Sequence, residues 1–293
     1  MMTSNTETQD APASAVQERS IGDIIRDARN LTTEEVERVL SYQREKGVRF
    51  GEAAIALGLV SQDDVLSALA QQFHYPLAAA DKRNNNPELV TLNQPFSVQA
   101  EAFRAIRSQV SMRIDPTRQP RAALAIVSPA IGDGKTFFAA NLAIVMAQLG
   151  GRTLLVDADL RGPRQHEVFG LRNTSGLSTV LSGRTESNLI QQVDGVTNLF
   201  VLPGGPLPPN PSELVERPAF GLLMRELCSK FDQVVVDTPA AGYGADSAVI
   251  AARCGAALVV ARKGSSKVAG LQDLVANFEG GSVQLAGAIF NEH

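Results

Sequence analysis

The stretch Gly132-Asp133-Gly134-Lys135-Thr136 puts a lysine and a hydroxyl directly behind two glycines. Residues of these types in this order can hold a phosphate chain. Glycines let the backbone wrap closely around phosphate oxygens, the lysine reaches the β- and γ-phosphates, and the threonine hydroxyl binds Mg²⁺. The strict pattern G-x-x-x-x-G-K-[ST] begins on a glycine, where this chain has Pro129. Two acidic elements follow. Leu-Leu-Val-Asp-Ala-Asp-Leu-Arg sets Asp157 and Asp159 two apart at the end of an apolar run, and Gln-Val-Val-Val-Asp-Thr-Pro ends another on Asp237. Residues two apart on a strand share a face, so Asp157 and Asp159 are expected side by side at the carboxyl end of a strand. That is where ligands bind in open parallel sheets. Asp237 has the form of an acid that holds Mg²⁺ through water. Together the three elements predict a Mg-nucleotide site.

Such groups need strand ends and helix starts to position them. Apolar strands are expected at 123–128, 153–159, 198–204, 233–239, 257–262 and 285–291, with helices at 135–149, 211–229 and 267–279 among the segments between them. Buried strands alternating with helices imply an α/β fold, a mostly parallel sheet with helices on both faces. The phosphate-loop stretch then follows a buried strand and opens a helix, so the helix N-terminus adds its free N–H groups and its dipole. Before this domain, residues 78–95 read as a linker, with a run of three asparagines and two prolines. A helix after Pro95 carries Phe103, Ile106 and Val110 on one side.

Residues 19–77 contain a repeat. Ile21 to Gln43 aligns with Phe50 to Gln72 at a constant 29 positions, as from Gly22 to Gly51. Each unit reads as a short helix, a turn and a longer helix capped by Thr32 or Ser61. Val36, Val39 and Leu40 share one face, as do Val65, Leu66, Leu69 and Phe73. Two such units can bury these faces on each other as a small all-α domain. Residues 1–18 read as a polar, disordered leader without the basic start and apolar core of a secretory signal.

The composition is that of an ordinary globular protein, 44% hydrophobic and 20% charged. A net charge of −4 gives no global sign of a nucleic-acid partner. No apolar run reaches the ~18 residues that span a bilayer. Cys228 and Cys254 lack metal-like spacing and are expected as reduced thiols in or near the core.

The combination S-x-x-x-G-D-G-K-T, L-L-V-D-A-D-L-R and V-V-V-D-T-P resembles the bacterial tyrosine kinases, P-loop proteins related to the MinD/ParA ATPases. Glu101, Arg104 and Arg107 match that family's E-x-x-R-x-x-R, and LPGGPLPPNPSEL and the final AGAIFN match further segments. The resemblance covers residues 96–293 and is nearest to short exopolysaccharide chain-length-determinant kinases of the EpsG type. MinD/ParA proteins carry a signature lysine where this chain has Ala130.

The resemblance implies ATP and Mg²⁺ as cofactors. Gly132, Asp133, Gly134, Lys135, Thr136 and Phe137 would surround the phosphates, and Asn291 the purine. Thr136, Asp159 and Asp237 would organise Mg²⁺. Asp157 would take the proton from a tyrosine hydroxyl, and Arg161 would add positive charge. Glu101, Arg104 and Arg107 would form a contact in a homo-oligomer. The chain would be cytoplasmic and peripheral to the inner membrane, acting through a membrane-embedded chain-length-determinant partner (a polysaccharide co-polymerase). Family autokinases end in a tyrosine cluster, whereas no tyrosine here lies past Tyr243. A kinase acting on another protein or an atypical tyrosine, an ATPase switch without phosphotransfer, and a silent scaffold therefore all stay open.

The helical repeat resembles the N-terminal domain of type II secretion and pilus ATPases, some of which bind cyclic di-GMP through two copies of R-[apolar]-G-x-x-x-x-x-x-G. Arg49, Gly51 and Gly58 keep that pattern. The first unit has Ser20 and Arg29 at the arginine and second glycine positions.

Overall fold

In the computed structural model, which describes residues 19–73, 86–114, 121–184, 186–278 and 281–292, helices start where the sequence supplies caps. The described residues form two compact units, 19–73 and 86–292. The leader expected at 1–18 and the first part of the expected linker lie outside them.

The first unit holds α1 (Ile21–Arg29), α2 (Thr33–Lys46), α3 (Phe50–Ala56) and α4 (Gln62–Gln72). Thr32 and Ser61 each close a capping box. The backbone N–H of Thr32 donates to Glu35 and that of Ser61 to Asp64, both at 2.8 Å. The two halves of the repeat interlock, α1 against α4 and α2 against α3, around Ile25, Val39, Ala53 and Ala68. An Arg29–Asp64 ion pair of 2.8 Å ties the end of α1 to the start of α4. Phe73, expected on the buried face, is 69% exposed. It sits at the C-cap of α4, past the last turn, and Ala68 and Ala70 occupy the buried face instead.

Two residues of the dinucleotide-like pattern have local structural reasons. Gly51 is buried where α3 meets α4, and a Cβ there would lie 2.6 Å from Val65 Cγ1. Gly58 takes φ +68° beyond α3, a left-handed conformation that glycine adopts freely. Arg49 is exposed at the N-cap of α3. Gly51→Ala is expected to destabilise this unit by about 1–3 kcal/mol through overpacking. The check is the circular-dichroism melt of the full chain, in which the first unit should unfold at lower temperature.

The second unit begins inside the expected linker. Asn86 to Pro95 folds onto the α/β core, with α5 (Val90–Asn93) carrying buried Leu89 and Leu92 beside it. Asn141 holds this segment. Its side chain accepts from the Thr91 N–H at 3.0 Å and donates to the Glu88 carbonyl at 2.7 Å. The composition that reads as a linker thus includes apolar residues that bury on a neighbouring helix.

After α6 (Val98–Arg113) the chain runs β1 (Ala123–Val127), α7 (Lys135–Ala147), β2 (Thr153–Asp157), α8 (Gln165–Phe169), α9 (Leu177–Leu181), β3 (Gln191–Gln192) and β4 (Leu199–Leu202). Then come α10 (Pro211–Glu216), α11 (Pro218–Lys230), β5 (Gln233–Asp237), α12 (Asp246–Cys254), β6 (Gly255–Arg262), α13 (Val268–Ala276) and β7 (Gln284–Asn291). The sheet order is β3-β4-β2-β5-β1-β6-β7, with every pairing parallel except β3 with β4. One core packs α5, α6 and α7 on one face, and another packs α9 to α13 on the other. The helix expected over 211–229 is two, because Pro218 forces Arg217 into an extended conformation (ψ 143°). Among the described residues, no helix is long and apolar enough to cross a membrane.

Candidate nucleotide-binding site

The loop between β1 and α7 turns on two left-handed glycines, Gly132 at φ +82° and Gly134 at φ +95°. Asp133 shapes it from inside. This fully buried carboxylate accepts from the Ala130 N–H at 2.8 Å and from the Ser266 hydroxyl at 2.7 Å. Its side chain is therefore a brace for the loop. Phe137 lies in the first turn of α7, and its ring packs against Phe103 at 6.0 Å between centroids. Only its backbone is placed to face a phosphate.

Lys135 opens α7 and is buried, with Nζ donating to Ser128 Oγ at 2.9 Å. Burial pulls its pKa below the usual lysine range, against the opposing pull of Asp237, Asp159 and Asp133. The Thr136 side chain lies near Asp237 and favours its ionised form.

Asp157 and Asp237 are direct neighbours, paired in register at the carboxyl ends of β2 and β5. Both are buried, and each has one oxygen, Oδ1, without a hydrogen-bond partner. Burial raises both pKa values. For Asp157 the adjacent charge of Asp237 adds to that rise, while the Gln165 N–H opposes it. For Asp237 the Gln165 side chain, Lys135 and Thr136 offset part of the rise. Two unpartnered anionic oxygens beside a lysine and a helix N-terminus fit a divalent cation with phosphates, since a buried carboxylate is costly unless paired or metal-bound.

Asp159 falls outside the expected strand, because β2 ends at Asp157. It lies in the following turn, where its Oδ1 accepts from the backbone N–H groups of Arg161 and Gly162, each at 3.1 Å. The two acids are thus brought together by a turn and not by strand alternation. Arg161 is committed to other partners. It bonds Asp246 at 2.8 Å and Ser212 at 2.9 Å, and its guanidinium lies 5.6 Å from the Tyr243 ring centre. Asp246 and Ser212 carry no recognisable signature in the sequence.

Gln165 was also not legible in the sequence. It is fully buried, its N–H donates to Asp157 at 2.9 Å, and its Nε2 donates to Asp237 at 2.9 Å and to the Thr136 carbonyl at 3.1 Å. One residue therefore joins all three acidic and phosphate-loop elements, Asp157 through its backbone N–H and Asp237 and Thr136 through its side-chain amide.

Asn291 ends β7 against the loop, its Nδ2 donating to the Asp133 carbonyl at 3.3 Å. A Cβ on Gly134 would lie 2.3 Å from that Nδ2. Gly134→Ala is expected to combine left-handed strain of about 1–2 kcal/mol with displacement of Asn291. The measurable outcome is at least tenfold weaker nucleotide binding by fluorescence titration, with the rest of the fold intact.

The α6 residues expected at a subunit contact are engaged within the chain. Arg104 pairs with Glu101 at 2.7 Å and donates to the Pro95 carbonyl at 2.7 Å. Arg107 donates to the Val145 carbonyl at 2.7 Å and so pins α6 to α7. The Glu101 side chain stays 71% exposed.

Comparison with known proteins gives the family. The model of the CobQ/CobB/MinD/ParA nucleotide binding domain matches residues 124–293. The tyrosine-protein kinase Wzc of Salmonella typhimurium is 33% identical over 210 residues, which is 72% of this chain and 29% of Wzc. The tyrosine-protein kinase YwqD of Bacillus subtilis is 38% identical over 162 residues, 55% of this chain and 68% of YwqD. Among solved structures, the kinase domain of Escherichia coli ETK superposes with a TM-score of 0.66 at 33% identity, covering 71% of this chain and 81% of its own. The chimerical protein CapA2B2 gives 0.65 at 31%, covering 78% and 98%. The cell division ATPase MinD of Pyrococcus furiosus, at 24% identity and a TM-score of 0.52, shares the fold. This chain thus spans less than a third of the length of Wzc but most of YwqD. With the phosphate loop, the paired acids and these similarities in agreement, the chain belongs to the bacterial tyrosine kinase family, on the CobQ/CobB/MinD/ParA nucleotide-binding fold.

Proposed function

We propose that the chain transfers the γ-phosphate of Mg-ATP to a protein tyrosine, in the control of exopolysaccharide chain length, synthesis and export. The observation that carries this reading is the Asp157–Asp237 pair, with an unpartnered buried oxygen on each residue, facing a lysine at a helix start. A simple phosphate-binding turn needs no second acid there.

Each residue then has a role. Lys135 exchanges its Ser128 contact for the β- and γ-phosphates, and the N–H groups at the start of α7 hold phosphate oxygens. Thr136, Asp159 and Asp237 are the metal-holding set. Bound Mg²⁺ supplies positive charge against the phosphate oxygens. Asp157, whose proton affinity is raised by burial and by Asp237, accepts the proton of the attacking hydroxyl. A free tyrosine has a pKa near 10, so the hydroxyl needs both a base and placement in line. Arg161, fastened to Asp246 and Ser212, acts by fixing the turn that carries Asp159. Asn291, held against the phosphate loop, would contact the purine.

The same reading supplies a membrane-embedded polysaccharide co-polymerase as partner, which would hold this chain at the cytoplasmic face of the membrane. Contact between copies through α6 would use the exposed Glu101 carboxylate, since Arg104 and Arg107 serve within the chain. A role for Arg49, Gly51 and Gly58 in binding cyclic di-GMP belongs to the first unit and is a separate matter.

The test is γ-labelled ATP with Mg²⁺, following protein-bound label and free phosphate, with and without the cytoplasmic segment of the candidate partner. Label on tyrosine is expected. Free phosphate without any labelled tyrosine would overturn the kinase reading in favour of an ATP-driven switch.

A further inference from the structure

Three arginines converge at the end of the sheet opposite the nucleotide site. Arg121 precedes β1, Arg225 lies on α11, and Arg253 lies near the end of α12. They rim a pocket of about 160 Å³ at the amino ends of β1 and β6. Its floor holds three sulfur atoms, from buried Met224, Cys228 and Cys254.

The charge arrangement is unusual. Arg225 and Arg253 each bring a guanidinium nitrogen close to Gly221. A Cβ on that glycine would lie 3.9 Å from Arg225 Nη1 and 3.8 Å from Arg253 Nη1. Two guanidinium groups therefore meet over a residue without a side chain. Among the described residues, neither has an ion-pair or hydrogen-bond partner. Among the described residues, Arg121 has a long 3.8 Å contact with Asp232 as its ion pair. Its charge also reaches the floor, where it partly offsets the burial that pushes the Cys228 thiol up to about 11. Like charges held this close repel unless an anion lies between them. Arginine forks match phosphate oxygens in pairs.

The floor narrows the choice of anion. Behind the arginines lie the sulfur-bearing side chains of Met224, Cys228 and Cys254, and sulfur makes favourable contacts with aromatic rings. The pocket is larger than a single oxyanion fills. We infer that this pocket binds an aryl phosphate, the head of a phosphorylated tyrosine, with the phosphate between Arg225 and Arg253 and the ring on Met224, Cys228 and Cys254. The inference does not rest on phosphotransfer by this chain, because the pocket lies at the far end of the sheet and its ligand can come from either this chain or a partner.

The test is calorimetric titration of the full chain with phenyl phosphate, inorganic phosphate and phenol. Phenyl phosphate is expected to bind at least tenfold more tightly than either of the others. The Arg225→Ala/Arg253→Ala variant should lose at least tenfold in affinity, and Lys135→Met should lose none, which separates this site from the phosphate loop. Both arginines are exposed, so the fold should tolerate the change. The Arg225→Lys/Arg253→Lys variant, which keeps the charge and loses the forked geometry, should fall between. Unchanged affinity in the alanine variant would overturn the site. Equal affinity for inorganic phosphate would overturn the aryl assignment. Peptides carrying phosphorylated Tyr42 or Tyr243 identify the source. Binding tighter than phenyl phosphate assigns the ligand to this chain, and weaker binding assigns it to a partner.

Discussion

Lys135→Met is expected to abolish label transfer and phosphate release from γ-labelled ATP, by a factor of at least about 10²–10³, the scale set by removing one preorganised charge from a developing anion. The side chain is nearly isosteric and the site is buried, so the fold should persist. Two effects act on stability. Ser128 Oγ loses its charged donor. Asp237 and Asp159 lose the nearby cation that favours their ionised forms. Both losses fall around the phosphate loop, so the variant should also bind nucleotide weakly. The measurement is turnover with the circular-dichroism spectrum as control. Wild-type turnover in a folded variant would remove the site assignment altogether.

Asp157→Asn is expected to move stability and activity in opposite directions. In the wild type two adjacent buried carboxylates repel, and each keeps one oxygen without a donor. The amide that replaces Asp157 can still accept from the Gln165 N–H and can donate its NH₂ to Asp237 Oδ1. One like-charge contact and two unsatisfied oxygens disappear together. The variant should gain at least about 1 kcal/mol, or roughly 2–4 °C in midpoint for a unit of this size. Turnover should fall by about 10²–10⁴ if Asp157 is the base.

The pH dependence follows from the sign of the shift. Burial raises the folded-state pKa of Asp157 above its unfolded value near 4. The folded state then binds the extra proton, so the wild type loses stability as pH rises from that unfolded value toward the folded one. The variant has no such group. The gap between their melting midpoints, in the presence of a chelator, should therefore widen from pH 4 to pH 7. A gap that narrows with pH would show that Asp157 is not the strained group. Added Mg²⁺ should raise the wild-type midpoint more than that of the variant.

Much of this molecule is legible in its sequence because local rules govern it. Thr32 and Ser61 announce helix starts, each with an acid three residues later. The apolar runs at β1, β2, β5 and β6 announce a buried parallel sheet, and the spacing of Gly132, Gly134, Lys135 and Thr136 announces a phosphate loop. These features need only chain neighbours to act. Helix boundaries failed where one residue overrides a periodic pattern, as Pro218 does between α10 and α11.

The remaining features depended on contacts between distant parts of the chain. Gln165 joins Asp157, Asp237 and Thr136 because α8 folds back over two strand ends, and a lone glutamine has no periodic signature. Arg161 looks catalytic by position, yet Asp246, 85 residues away, takes its charge. Asp133 and Phe137 belong to the loop in sequence, but packing turns their side chains to Ser266 and Phe103. Arg104 and Arg107 are spaced as an exposed pair, and tertiary structure spends them on Pro95 and Val145. Sequence alone determined which backbone segments could hold phosphate and where the acids would fall. Only the tertiary structure decided which side chains face that site, because burial makes each polar group find its partner through space.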